Sequence, residues 1–302
     1  MTDVLDATTG ERFYAVNADC VEFAATLPDN SLGMSVYSPP FAHLFVYSDS
    51  ERDMGNVKDE AEFKELYRHL TREIYRATKP GRLTAVHCSD LPRTKSMHGV
   101  VGLYDFPSDI REAHEAEGWT FHSRITVWKD PVVEMQRTKA LGLLYKQIQT
   151  DATRSRQGMA DYVMVFRKTP VDEKEDTDRV GQDAKLFPVG MWQQWASPVW
   201  MDINQTNVLN AKVAREDKDE RHLCPLQLDL IERCIRLWTN EGDTVFSPFM
   251  GIGSEGWVAL KAGRRFVGSE LKNAYYRQAV KNLTEAEAAS GGPSLLSYAG
   301  AA

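Results

Sequence analysis

Two stretches of this 302-residue chain carry residue types spaced for chemistry. The first is Ser38-Pro39-Pro40-Phe41. A proline cannot donate to a strand ladder, and it biases the residue before it towards an extended backbone. The result is a stiff turn that presents one hydroxyl, fixed carbonyl oxygens and one flat ring. The oxygens can accept hydrogen bonds from an amine while the ring stacks on a planar base. The second stretch runs Ser247-Pro248-Phe249-Met250-Gly251-Ile252-Gly253-Ser254-Glu255-Gly256, with Glu270 further on. Gly251, Gly253 and Gly256 match G-x-G-x-x-G. Such glycines let a ligand approach the backbone, a helix amino terminus favours negative groups, and a following acid can hold ribose hydroxyls. Either stretch alone also fits an ordinary turn.

The flanking elements favour the chemical reading. Leu32–Tyr37 is a short apolar run that predicts a buried strand ending at Ser38. Arg12–Asn17 predicts an earlier strand, followed by a helix capped by Asp19. Apolar spacing predicts a helix over Glu60–Ala77, stopped by Lys79-Pro80-Gly81, and strands over 82–88 and 120–128 with a helix over 105–117 between them. A further strand is expected at 161–166 and an amphipathic helix at 225–238. Around the glycines, strand 243–246, helix 255–262 and strand 265–268 complete a βαβ-like unit. Alternating strands and helices predict an α/β sheet, whose ligands lie beyond the carboxyl ends of its strands. The loop Ala42–Val57 is long enough to act as a lid over that site.

Composition narrows the class. Hydrophobic residues make up 42% and charged ones 26%, as in soluble globular chains. No apolar run reaches the ~18 residues of a membrane span, and the amino terminus lacks a secretory signal. The four cysteines form no C-x-x-C pair and the seven histidines no ligand pair. A cytoplasmic chain with neither disulfides nor metal is therefore expected. The net charge of -7 argues mildly against nucleic acid, yet Lys129–Lys168 holds eight basic residues against four acidic ones. That segment reads either as a solvated face or as a surface for phosphate, with Lys129, Arg137, Lys139, Arg154 and Arg156 as candidate contacts. Trp192, Trp195 and Trp200 suggest a small packed excursion after it.

Together, Ser38-Pro39-Pro40-Phe41 early and Ser247–Ser254 late resemble the two signature motifs of amino-group DNA methyltransferases, in the order of the family's beta class. The resemblance covers most of residues 12–284 apart from the middle. It implies a Rossmann-like S-adenosylmethionine-dependent methyltransferase fold, with a mixed central sheet flanked by helices and an inserted target-recognition region. The implied division is a catalytic half at 12–128, the recognition insertion at 129–215, a cofactor-binding half at 216–284 and a mobile tail at 285–302. By the same resemblance Asp19 and Cys20 meet the cofactor's adenine. Phe249, Gly251 and Gly253 wrap its methionine moiety, Ser247 and Ser254 of the same stretch also bind the cofactor, Glu270 takes its ribose, and Pro225 starts a helix over its amino-acid end. The family's cofactor motif usually begins with Asp where this chain has Ser247, which points to weaker binding or to a compensating acid such as Asp90.

The chemistry agrees with that likeness. A base inside a duplex cannot present its amine, so it must be flipped out at a cost of a few kcal/mol. Phe41 would stack on the flipped base, and Ser38 Oγ with the Pro39 carbonyl would accept the amine hydrogens. Ser in the first motif position leans towards cytosine N4, and adenine N6 is the alternative. Carbon-5 methylation needs a thiolate that Cys224, placed before Pro225, does not supply. A nicotinamide-dependent oxidoreductase and a non-catalytic DNA-binding relative are the rivals from other classes. Double-stranded DNA is the expected partner, whereas the recognition site, a homodimer and a restriction partner stay open.

Overall fold

A computed structural model describes residues 4–40, 54–57, 59–93, 95, 99–138, 140–170, 178–209 and 225–290. In chain order the elements are β1 (Asp6–Thr9), β2 (Phe13–Asn17), α1 (Cys20–Thr26), β3 (Leu32–Tyr37), α2 (Glu60–Ala77), β4 (Thr78–Ser89), β5 (Leu91–Arg93) and β6 (Gly102–Tyr104). Then come α3 (Phe106–Ala116), β7 (Thr120–Val127), α4 (Pro131–Thr138), α5 (Tyr145–Thr150), β8 (Asp161–Arg167), α6 (Val189–Trp195) and β9 (Val199–Trp200). The last are α7 (Leu228–Trp238), β10 (Thr244–Ser247), α8 (Ser254–Lys261), β11 (Arg265–Ser269) and α9 (Asn273–Ser290).

Nine strands form one sheet in the order β1-β2-β11-β10-β3-β4-β8-β7-β9. From β2 to β4 every neighbouring pair is parallel, whereas β8 runs antiparallel to both β4 and β7. The sheet is mixed, as the sequence led us to expect. Side-chain alternation splits its two faces between two apolar layers. Met34, Val36, Leu83, Ala85, Val163 and Val165 meet α7, α8 and α9 on one face. Tyr37, Val86, Cys88, Met164 and Phe166 meet α1, α2 and α3 on the other. β3 is buried at all six positions because both faces are covered.

The helices begin where local chemistry starts them. Asp19 Oδ1 accepts from the N–H groups of Val21 and Glu22, and Asp59 Oδ1 accepts from that of Glu62 at 2.9 Å. α7 starts at Leu228 rather than at Pro225, which lies outside the helix.

Two expected boundaries move. β8 lies inside the main sheet, so 129–215 is not an insertion throughout. The expected tail from 285 is helical to Ser290, with Ala286 buried and the Glu287 carboxylate accepting the Arg12 N–H at 2.6 Å. Small residues looked tail-like, but alanine is the best helix former. Of the three tryptophans, Trp200 is buried in β9, Trp195 packs on Phe187 and Trp192 is exposed.

Candidate active site

The parallel strands β2, β11, β10, β3 and β4 lie side by side and end at one edge of the sheet. Asp19 follows β2, Glu270 follows β11, the loop from Pro248 follows β10, and Ser38-Pro39-Pro40 follows β3. Residues far apart in the chain meet there because the neighbours β3 and β10 are joined only through the whole intervening fold. This is the edge at which open α/β sheets bind ligands.

On the β3 side, Pro39 and Pro40 are buried and Ser38 is half-buried. Ser38 O–H donates to the His87 carbonyl at 3.1 Å, while His87 Nδ1 sits 3.3 Å from the same Oγ. The far ring nitrogen, Nε2, lies 3.2 Å from Asp161 Oδ2, beside the carboxylate but not aligned with it as a hydrogen bond. Lys129 Nζ closes the row at 2.6 Å from Asp161 Oδ1. Burial by itself pushes the Asp161 carboxyl up, but His87 and Lys129 outweigh it and hold the group below the usual carboxylate range.

On the β10 side, Gly251 and Gly253 adopt φ of 51° and 86°, left-handed values that favour glycine. A Cβ on Gly251 would meet nothing within 4 Å, so the loop backbone faces open space there. Glu270 Oε2 accepts the Gly251 N–H at 3.0 Å and Oε1 accepts the Lys272 N–H at 2.8 Å. The Phe249 ring packs 5.9 Å from that of Tyr37, tying this loop to β3. Ser254 is buried in the first turn of α8, and Cys20, buried beside Asp19, has its thiol pushed up by burial. The Ser247 hydroxyl is buried with no hydrogen-bond partner, the kind of group that a bound polar ligand satisfies. An acid, left-handed glycines and open backbone together suit a ligand with a nucleoside part and a charged part.

The N6/N4 DNA methylase family model matches residues 33–281. The chain belongs to this family. The Type II methyltransferase M.MjaI of Methanocaldococcus jannaschii is 22% identical over 289 residues, 88% of this chain and 89% of that protein. Among solved structures, the TTHA0409 protein of Thermus thermophilus, complexed with S-adenosyl-L-methionine, superposes with a TM-score of 0.64 at 21% identity, covering 94% of this chain and 96% of that one. The cytosine-N4-specific PvuII DNA methyltransferase gives 0.62 at 17% identity, covering 93% of each chain. At such identities the structural likeness concerns the fold.

Not every residue marked in this DNA methylase's sequence comes to the site. Phe41, Lys139 and most of the expected lid lie outside the described residues, as does the Arg137 side chain. Met54 and Val57, at the end of that loop, are buried. Two of the supposed phosphate contacts are engaged elsewhere. Lys129 pairs with Asp161, and Arg156 lies 3.4 Å from the buried carboxylate of Glu134. Both pairs lie within the segment, so its excess of four positive charges is unchanged but fewer of its cations are unpaired. Arg154 is exposed beside Asp151. Asp90 has Asp105 and Arg124 as its charged neighbours, and burial raises its carboxyl.

Sequence reasoning missed Asn17, His87 and Asp161. Asn17 donates to the Glu270 and Leu271 carbonyls at 2.7 and 2.8 Å and so anchors the acid's loop to β2. A polar residue at each strand end was the available signal, and only strand pairing turns it into a cluster. Among the described residues no group of His, Cys, Asp and Glu could hold a metal, and no helix is long and apolar enough to cross a membrane.

Proposed function

We propose that this chain transfers a methyl group from S-adenosylmethionine to the exocyclic amine of a base in double-stranded DNA, cytosine N4 in preference to adenine N6. One observation carries the reading. The Ser38-Pro39-Pro40 turn and the glycine loop leave the ends of hydrogen-bonded neighbouring strands, β3 and β10. An amine held at the first is thereby adjacent to a ligand held at the second. Family membership supports the reaction class, and PvuII offers a cytosine-N4-specific precedent for the fold.

The residues that would hold the cofactor are Asp19, Cys20, Pro225, Ser247, Phe249, Gly251, Gly253, Ser254 and Glu270. When bound, it supplies a methyl group on a positively charged sulfur. The chain's part is positioning. Ser38 Oγ and the Pro39 carbonyl accept the amine hydrogens and turn the nitrogen lone pair away from the ring. Phe41 stacks on the extruded base. Proximity and orientation supply most of the acceleration, since no covalent intermediate on the protein is needed. Arg154, together with Arg137 and Lys139, is the candidate phosphate contact of the region after β7.

Isotope-labelled methyl from S-adenosylmethionine, mixed duplex DNA, nucleoside digestion and mass analysis test the reading. The expected product is N4-methylcytosine, with Ser38→Ala reducing turnover at least a hundredfold and leaving donor affinity within about threefold. Label in N6-methyladenine would overturn the base assignment alone. Bound donor with no label in DNA would overturn the function.

A further inference from the structure

The row Ser38, His87, Asp161 and Lys129 contains more than amine positioning needs. Strand parity explains why it exists. Met34 and Val36 on β3, Leu83 and Ala85 on β4, and Val163 and Val165 on β8 all face the α7 layer. Two residues further towards the strand ends, the same face carries Ser38, His87 and Asp161. β4 pairs with β8 in the register His87↔Val163 and Ser89↔Asp161, so the carboxylate comes from a strand end beside the imidazole. Three polar groups thus continue an apolar stripe. His87 and Asp161 are 8% and 6% exposed, which is costly for charged groups unless they are paired.

We propose that His87, oriented by Asp161 and Lys129, takes up through the Ser38 hydroxyl the proton released when the target amine is methylated. This rests on the methyltransfer reading above. The amine lone pair forms the new N–C bond, the C–S bond of the sulfonium donor breaks, and its electron pair stays on sulfur. The nitrogen then carries one proton too many. That proton passes to Ser38 Oγ as the serine's own proton moves to His87 Nδ1. The imidazolium so formed presents its Nε2–H to the Asp161 carboxylate, whose second oxygen Lys129 already holds. The geometry supports such a path. The Ser38 hydrogen lies on the His87 carbonyl at 3.1 Å, and a hydroxyl rotation alone redirects it to Nδ1 at 3.3 Å. A carboxylate at Nε2 favours the tautomer with that nitrogen protonated, which leaves Nδ1 as the acceptor. Ser38 then donates towards His87 and keeps its lone pairs for the amine.

The charged surroundings of His87 are few among the described residues. β8 contributes Asp161, and the segment after β7 contributes Lys129. The neighbouring Ala85 and Val163 are apolar. On α7, packed over this face, Asp229 is bound to Asn204 and Asn207, Glu232 to Arg236 and Arg233 to Asp202. On the opposite face of the sheet, Asp90 and Arg124 lie around Cys88 and Tyr162.

Because His87 acts through Ser38, it is a positioning residue, and the test needs readouts that a structural role would not move. His87→Asn keeps a polar atom near the Nδ1 position but cannot take a proton. Single-turnover methyl transfer to duplex DNA is measured across pH for wild type, His87→Asn and Asp161→Asn, alongside donor and DNA binding. The expected result is a loss of about a hundredfold in the rate for His87→Asn, with binding changed less than threefold. The fall of the wild-type rate on the acid side should also flatten in this variant. In the protein without donor or DNA, the His87 ring resonances should shift in both Ser38→Ala and Asp161→Asn. A His87→Asn rate and pH profile like those of wild type would overturn the proposal, as would a rate loss matched by lost binding. Wild type that labels no base would overturn the functional reading instead. The ring resonances would then decide the relay, and their indifference to both substitutions would overturn it.

Discussion

Glu255 brings a carboxyl into the first turn of α8 with 4% of its surface exposed. Burial pushes it up to about 8, against the pull of its own backbone N–H and with Glu270 adding to the rise. Between about pH 4.5 and 8 the folded chain keeps a proton that the unfolded chain has released, so stability falls as pH rises across that window. The effect is of order a few kcal/mol. Melting temperatures from pH 5 to 8 should therefore decline in wild type and stay flatter in Glu255→Gln. Equal slopes would show that the proton is held elsewhere. Two histidines mark the limit of residue-level reading. His114 stacks on Phe166 at 4.0 Å and burial pushes it down to about 3, which makes it a neutral core histidine. His87 is also buried, yet Asp161 stands beside it. Nothing in the local sequence of either separates them.

Elements were more legible than their partners. The helix at Glu60–Ala77, the strand at Leu32–Tyr37 and the strand-loop-helix around the glycines all follow from apolar spacing, caps and breakers that act within a few residues. β1, the β5–β6 hairpin and β9 have few residues each and carry too little periodicity to stand out. At Gly253, local and non-local constraints coincide. Its φ is left-handed, and an added Cβ would lie 3.3 Å from Ala279 Cα and Cβ on α9. Gly253→Ala should cost about 1–2 kcal/mol from the backbone alone. It should also weaken donor binding, because the loop must shift against α9. Gly181→Ala, with open space around its Cβ, is the matching control. Denaturant melts and donor titration would check both effects, and equal behaviour of the two variants would refute the argument.

At the scale of the whole molecule, one buried cation fastens distant parts of the chain. Arg82 on β4 is 2% exposed, with Nη1 3.0 Å from Asp243 before β10 and Nη2 2.9 Å from Asp178. Lys79 reaches both carboxylates, at 2.7 Å from Asp178 and 3.7 Å from Asp243, so loss of Arg82 leaves partial compensation. Arg82→Ala should still destabilise by roughly 3 kcal/mol, because a nearly buried Asp243 loses its closer cation. A denaturant midpoint unchanged from wild type would mean that Lys79 replaces it fully.

The sequence by itself pointed, through its resemblance, to the amino-group DNA methyltransferase family and offered two candidate half-sites. The Ser-Pro-Pro turn and the glycine loop are local patterns, each shaped by its immediate neighbours. It also determined the α/β class, since strand and helix periodicities are local too. Only the tertiary structure decided which strand ends adjoin. Parallel neighbours such as β3 and β10 are paired across two hundred residues, and no local pattern encodes that register. The same holds for charge. Lys129 and Arg156 count as free cations in a composition but are ion-paired in the fold. His87 and Asp161 count as unremarkable residues until two antiparallel strands set them side by side. Local chemistry names the candidates, and strand pairing selects among them because burial and charge pairing arise between elements.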